Sequence, residues 1–433
     1  MASPLTVVWV YRRTGKFAFH ALGGALASDD RTRSVPQVYA MGVDAVVEAV
    51  DAARACGHVV VVGWSFYSPD AERMFADLRA VRARVDDGGV LHVAGGVHAT
   101  AEPAATLGAG FDVVGLGEGE ASVCALVAAL QNGAAPHLAA RAVDGFAWLE
   151  GGTVHQRRRA PRVALDDYPP FAPTYGRYGP IEITRGCVYA CRFCQTPHFA
   201  GAAFRHRSVG NVRAWVRFLV GRGFRDFRFL TPTALSYGAR GREPDLSAVE
   251  DLLAAVRAEI GARRLYFGTF PCEVRPEHVT PAALSLLRRY VDNDTLILGG
   301  QSGSDAVLAR NRRGHDAAVV ERAVALCRDA GFVPHVDYLF GLPGEDDEAA
   351  VATLRQMERL VAMGARVHGH TFMPLPGTPL RAAAPGVLAP SIARRMQTLS
   401  SRGQAYGQWQ RQALVARRLA RADGAEGAVT AGT

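Results

Sequence analysis

Short runs of apolar, β-branched residues alternate along this chain with stretches whose apolar positions recur every three or four residues. The first run is "LTVVWVY" (5–11), followed by "HVVVVGWSF" (58–66), "VLHVAGGVHA" (90–99) and "FDVVGLGEGE" (111–120). The run at 58–66 is almost unbroken, as expected of a parallel strand covered on both faces. Between the runs lie helical patterns at 44–57, 70–85 and 118–133. Strands alternating with helices predict a doubly wound, Rossmann-like α/β domain over residues 1–140. Ligands of such sheets bind beyond the carboxyl ends of the strands. Those ends carry "GWSFYSPD", "GGVHATAEP" and "GLGEGE".

Residues 141–178 break the alternation. "GFAWLEGGTVHQR" suits a hairpin, and the Pro-rich stretch 169–173 reads as a linker into a second domain. The alternation resumes over 179–382, with candidate strands at 180–186, 226–232, 264–270, 295–301, 332–341 and 366–375. Six strand–helix units predict a partial (β/α)6 barrel of the TIM type, whose working face is the C-terminal end of its strands. Residues 383–433 read as a short helical C-terminus, small and polar at its end.

Composition narrows the picture. The chain has 433 residues, 49% hydrophobic and 21% charged, which suits a folded globular protein. No apolar run approaches the ~20 residues of a membrane helix. The N-terminus lacks a basic stretch before its first apolar run and has no A-x-A site, so no signal peptide is expected. The expected compartment is the cytoplasm, where thiols stay reduced. The formal charge is +8, almost all from Arg, with Lys16 the sole lysine. Arg concentrates at 155–162 and 411–424, in the expected linker and a C-terminal helix, without the interleaved aromatics of a nucleic-acid face. Solvated charge is the reading, and nucleic acid is not an expected partner.

The chemistry concentrates in "RGCVYACRFCQTPHFAG" (185–201), at the end of the first strand of the second domain. Cys187, Cys191 and Cys194 follow a C-x3-C-x2-C spacing. A structural zinc site is closed by four ligands; His198 or Cys272 could supply the fourth. Three inert core cysteines do not suit a turn this rich in Gly and Arg. A [4Fe–4S] cluster on three thiolates leaves one iron open to a small molecule.

This motif at that position resembles the radical S-adenosylmethionine (SAM) superfamily. The resemblance implies that the three cysteines hold the cluster, that SAM chelates the open iron, and that its reductive cleavage gives a 5′-deoxyadenosyl radical. It places Phe193 against adenine. "GGQSGSDAVLARNRRGH" (299–315) resembles the segment that meets the SAM ribose and carboxylate, through Gln301, Ser302 and Arg313. "DYLFGLPGEDDE" (337–348) resembles the turn beside adenine, and "HTFMPLPGTPL" (370–380) the segment closing over it, with Phe372 and Met373. The usual Gly-Gly-Glu-like turn after the second strand is replaced by "FLTPTALSYG" (229–238), where Thr231 or Thr233 offers oxygens; Glu273 and Arg275 stand near the mouth.

The first domain resembles the cobalamin-binding domain that precedes many radical SAM domains. Its rim would comprise Ser65, the Gly95-Gly96 turn, and the 115–120 loop with Gly117 and Glu118. The loop "FAFHALGG" has His20 but Ala18 where a cobalt-binding motif has Asp, so His20 is not expected to ligate cobalt. The resemblance implies methyl transfer or rearrangement on a small-molecule or peptide substrate, with cobalamin as cofactor and flavodoxin or ferredoxin as electron donor. A first domain that binds no corrinoid stays open. Two other readings are a methylthiotransferase acting on tRNA or protein and a non-catalytic Fe–S redox or scaffold protein. The first would usually carry a second cluster on three N-terminal cysteines, where this chain has Cys56 and Cys124 in separate helical patterns, and a C-terminal RNA-binding domain, for which the tail is too short. The second would not need the ordered SAM segments.

Overall fold

The computed structural model describes residues 4–86 and 88–429, with side chains through 420. The chain divides into two compact units, Met1–Gly179 and Pro180–Thr433.

The first unit holds one sheet of seven strands: β1 (Leu5–Val10), β2 (Gln37–Ala40), β3 (Val59–Ser65), β4 (Val90–Gly95), β5 (Val113–Gly115), β6 (Phe146–Glu150) and β7 (Thr153–Gln156). Their order is β2-β1-β3-β4-β5-β6-β7. The first five are parallel, and β6 and β7 pair antiparallel. Both faces of the sheet are cores. Val8, Val62, Trp64, Met74 and Leu78 fill one, and Val7, Trp9, Phe19, Val61 and Leu126 the other. Alternate side chains of one strand thus both meet helices, which is why β1 and β3 read as almost unbroken apolar runs. The strand order reverses between β1 and β3, which opens a crevice beyond their carboxyl ends.

The hairpin expected near 145–157 forms as β6 and β7 and extends this sheet. The stretch expected as linker is therefore partly sheet. Its later part also packs on the first unit: Phe171 is fully buried, and the Arg177 guanidinium lies 4.7 and 4.8 Å from the ring centres of Tyr11 and Tyr39. Aromatic burial and cation–π contact, invisible in the local Pro-rich pattern, hold it there.

One buried titratable group sets a pH expectation. His92 on β4 is wholly buried, and its Nδ1 accepts from the Trp64 indole at 3.3 Å. Desolvation first, then Arg82, lowers its pKa from 6.5 to about 4. The unfolded chain binds this proton more readily, so stability is full above pH 6.5 and falls as pH drops toward 4. At ~1.4 kcal/mol per pKa unit, the loss reaches about 3 kcal/mol. Urea midpoints should fall across pH 6.5 to 4, and His92→Leu should flatten that part of the profile.

The second unit begins with β8 (Ile181–Glu182) and β9 (Thr184–Arg185), followed by β10 (Arg205–His206), β11 (Asp226–Leu230), β12 (Arg264–Tyr266), β13 (Thr295–Gln301), β14 (Val333–Phe340), β15 (Arg366–Thr371) and β16 (Ala405–Gly407). β12-β11-β8 and β13-β14-β15-β16 form parallel sheets. A parallel bridge from Val274 to Leu298 joins the end of the first to the second. The result is an arc of parallel strands with helices between them, the expected partial barrel. Asp245, Asp316 and Asp346 each cap the helix that follows, accepting from the backbone N–H three residues on.

The C-terminal segment is not helical throughout. Between the helices Pro390–Ser401 and Trp409–Val429, β16 adds a seventh strand beside β15. Gly369 on β15 makes room for this layer, since a Cβ there would lie 2.6 Å from Met396 Cε. No described helix is long and apolar enough to cross a membrane.

Candidate functional site

The three cysteines occupy the loop that leaves β9. Gly186 enters it at φ +86°, and a Cβ there would sit 2.1 Å from the Ala203 carbonyl oxygen. Only glycine meets both demands. The Cys187 N–H then donates to Gly201 O at 2.9 Å, and the Cys194 N–H to Cys191 O at 3.1 Å. The loop is tied to distant segments as well: Arg192 N–H donates to Asn311 O at 3.2 Å, and Gln195 Nε2 to Pro376 O at 2.8 Å.

Cys191 is buried and Cys187 and Cys194 are half-buried. Burial pushes the Cys187 thiol up to about 11 and raises that of Cys194. Arginine charge opposes this. Arg313 Nη1 lies 3.7 Å from Cys191 Sγ, while its Nη2 donates to Gly299 O at 2.5 Å. Arg275, 3.5 Å over the Tyr189 ring, donates to the Arg313 carbonyl and to Glu277 Oε1. Desolvated thiols beside fixed guanidinium groups fit an anionic metal–sulfur group, which needs deprotonated ligands and compensating charge. Neither His198 nor Cys272 closes with them into a single-ion site. Among the described residues, the one set of ligand atoms within 4.8 Å is that of Asp337, His368 and His370.

Beside this loop lies a cavity of about 260 Å³, and Phe193, Gln301, Phe372 and Met373 all line it. Four of the residues expected to meet one ligand are thus brought together from the cysteine loop, β13 and the segment after β15. Phe193 packs on a small apolar cluster with Phe372, Leu342 and Leu380. Gln301 stands at φ +74°, where the β13–β14 register shifts. A side chain held in that region is strained by about 1–3 kcal/mol, a cost often found at ligand sites.

The other expected residues are placed differently. Ser302 is fully buried; its Oγ lies 3.2 Å from Thr353 Oγ1 and accepts from Ser304 N–H at 3.2 Å, away from the cavity lining. Arg313 belongs to the cysteine loop rather than to the cavity wall. Arg275 is buried against Tyr189 and Glu277. Thr231 Oγ1 donates to Thr233 O at 3.1 Å, and Thr233 Oγ1 is buried without a hydrogen-bond partner. Glu273 does line the cavity, and burial together with the nearby Asp337 raises its carboxyl to about 7. Asp337, His370 and Gln412 on the same wall were not singled out by sequence. For Asp337 and His370 the signal is weak, polar residues at alternate positions of strands that otherwise read as apolar, and Gln412 lies on the helix Trp409–Val429.

In the first unit, Ser65 and Gly96 meet at the carboxyl ends of β3 and β4. Gly96 has φ +88°, and a Cβ on it would lie 2.7 Å from Ser65 Oγ. Gly95 has more room: its nearest neighbour would be Trp64 O at 3.8 Å. The Gly117 N–H, at φ +86°, donates to Thr100 Oγ1 at 3.0 Å. The Glu118 carboxylate accepts from Val163 N–H at 3.1 Å and so serves the local fold. His20 lies within the helix Lys16–Ser28, its Nε2 2.8 Å from the Tyr11 hydroxyl. That hydrogen bond engages one ring nitrogen, and the other, Nδ1, is buried without a hydrogen-bond partner.

Comparison with known proteins gives three results. Residues 181–357 match the model of the radical SAM superfamily. Among curated proteins, the chain is similar to tRNA-2-methylthio-N(6)-dimethylallyladenosine synthases. The one from Halorhodospira halophila is 28% identical over 56% of this chain and 50% of its own length. The one from Pelobacter propionicus is 31% identical over 49% and 47%. The chain thus spans about half the length of these relatives. Among solved structures, it resembles the radical SAM methyltransferase TsrM from Kitasatospora setae, with cobalamin and a [4Fe-4S] cluster bound. The TM-score is 0.68 at 16% identity, covering 89% of this chain and 75% of that one. The cobalamin-dependent radical SAM enzyme OxsB gives 0.65 at 14% identity, covering 82% and 52%. At such identities the likeness is one of fold.

Proposed function

We propose that this chain, whose residues 181–357 match the radical SAM superfamily model, is a cobalamin-using radical SAM enzyme that transfers a methyl group or rearranges an organic substrate. The observation that carries this reading is the juxtaposition of the three-cysteine loop with a cavity walled by Phe193, Gln301, Phe372 and Met373. Cys187, Cys191 and Cys194 would hold the cluster, with no fourth protein ligand. When bound, the cluster supplies the electron that cleaves SAM to methionine and a 5′-deoxyadenosyl radical. The chain's own residues do the rest: Phe193 and Phe372 offer flat apolar surface to a base, and Gln301 offers an amide. An external one-electron donor such as flavodoxin or ferredoxin is required.

Cobalamin is assigned to the crevice of the first unit. Support comes from the strand-order reversal between β1 and β3 and from Gly96, where a side chain would fill the rim beside Ser65. No histidine is assigned to cobalt. The methylthiotransferase reading is less well supported. The first unit has two cysteines, Cys56, exposed at a helix end, and Cys124, buried within the helix Glu120–Gln131, and these cannot supply a three-thiol site.

The test is anaerobic purification with cobalamin supplied, followed by turnover with SAM labelled in its methyl group. One corrinoid per chain and 5′-deoxyadenosine under reducing conditions support the reading. Corrinoid at background would leave a radical SAM enzyme without cobalamin. A further expectation concerns Arg313. Arg313→Gln removes a cation 3.7 Å from Cys191 Sγ. The reduced state carries one more negative charge, so the reduction potential should shift downward with iron content unchanged. A redox titration followed by electron paramagnetic resonance reads that shift.

A further inference from the structure

We propose that Asp337, His368 and His370 form a second metal site, for a divalent first-row transition ion, separate from the three cysteines. β14 and β15 run parallel with Asp337 opposite His368, and His370 lies two residues on, hence on the same strand face. Asp337 Oδ1 is 2.9 Å from His368 Nδ1, and His370 Nε2 is 3.1 Å from that same nitrogen. All three ligand atoms lie within 4.8 Å of one another.

This is not an ordinary hydrogen-bond chain. A ring nitrogen carries either one proton or one lone pair, directed in the ring plane, and serves one partner well. Here two polar atoms converge on it. Gln412 tightens the conflict: its Oε1 accepts from Thr371 N–H at 3.0 Å, so its amide nitrogen faces His370 Nδ1 at 3.1 Å. His370 Nδ1 must then accept, which puts the ring's proton on Nε2 and aims it at His368 Nδ1. That nitrogen cannot also donate to the Asp337 carboxylate.

A cation among the three atoms removes the need for either proton. With metal–ligand bonds of about 2.1 Å, ligands at right angles stand about 3.0 Å apart, close to the two separations seen. Two imidazoles and one carboxylate suit iron(II), zinc or their neighbours, and such a set leaves coordination positions open. Asp337 and His370 line the cavity, so those positions can face it and receive water or an oxygen donor of a substrate. The rings are already fixed: Tyr406 stacks on His368 at 4.3 Å and 10°, and its hydroxyl lies 3.0 Å from His335 Nδ1. Metal on His370 Nε2 moves the ring's proton to Nδ1, and Gln412 must turn its amide to accept it. Gln412→Glu would accept in either orientation and complete a carboxylate–histidine–metal relay.

The experiment is anaerobic calorimetric titration of the cluster-loaded protein with Zn²⁺. One saturable equivalent is expected. Asp337→Asn, and separately the pair His368→Gln and His370→Gln, should weaken it at least tenfold while the iron content of the cysteine loop is kept; Gln412→Glu should strengthen it. The variant with all three cysteines replaced should still bind the zinc equivalent, which separates this site from the cluster reading. Absence of saturable binding in the unaltered protein, or equal binding after the His368 and His370 replacements, would overturn the proposal.

Discussion

Replacing Cys187, Cys191 and Cys194 together by Ala removes the ~400 nm absorbance of the reconstituted protein and takes 5′-deoxyadenosine formation to background. The loss is expected to be complete, because in the proposed cluster each thiolate would bind a different iron, and the set of three metal-ligating side chains found within 4.8 Å of one another among the described residues lies elsewhere, at Asp337, His368 and His370. The fold should survive. Two of the three side chains are only half-buried, and the loop is held by main-chain bonds from Cys187 to Gly201 and from Cys194 to Cys191. Circular dichroism and the urea midpoint should therefore stay close to those of the unaltered protein. Retained SAM cleavage in the triple variant would remove the cysteines from the chemistry.

Gly186→Ala is expected to lose the cluster without touching a ligand. The residue stands at φ +86°, where an L side chain costs about 1–2 kcal/mol. The added methyl would also lie 2.1 Å from Ala203 O and 3.1 Å from Gly201 O, both backbone atoms that cannot turn away. The strand β10 and the bond from Cys187 N–H to Gly201 O must shift together, and Cys187 moves with them. Iron per chain should fall well below four. Gly176→Ala is the matched control. It also has positive φ, but a Cβ there meets nothing within 4 Å, so it should cost about 1 kcal/mol and leave iron content unchanged. Equal iron loading in the two variants would mean that this turn does not position the cysteines.

The sequence made some parts of this molecule readable and hid others, for physical reasons. β1 and β3 were legible because both of their faces are buried, so nearly every position along them is apolar, Thr6 and Ser65 apart. The cysteine loop was legible because its spacing is local. β16 was not: three residues at the edge of a sheet leave no period, and what holds them is pairing with β15 and the burial of Met396 and Trp409 near Gly369. The roles of Ser302, Arg313 and Glu118 depended on partners far away in the chain. Ser302 is engaged by Thr353, Arg313 reaches back to Cys191, and Glu118 is taken by the Val163 main chain. The Asp337, His368 and His370 group was hidden for the same reason, since its geometry exists only once β14 and β15 are in register.

The proposed function turns on an iron, held by three cysteines, that is open to SAM beside the Phe193 cavity. Its most direct measurement is the electron paramagnetic resonance spectrum of the reduced, reconstituted protein before and after SAM is added. Expected is a [4Fe–4S] signal whose g-values shift on SAM addition, and no such signal from the triple cysteine variant. A reduced cluster whose spectrum SAM leaves unchanged, with no 5′-deoxyadenosine formed, would contradict it.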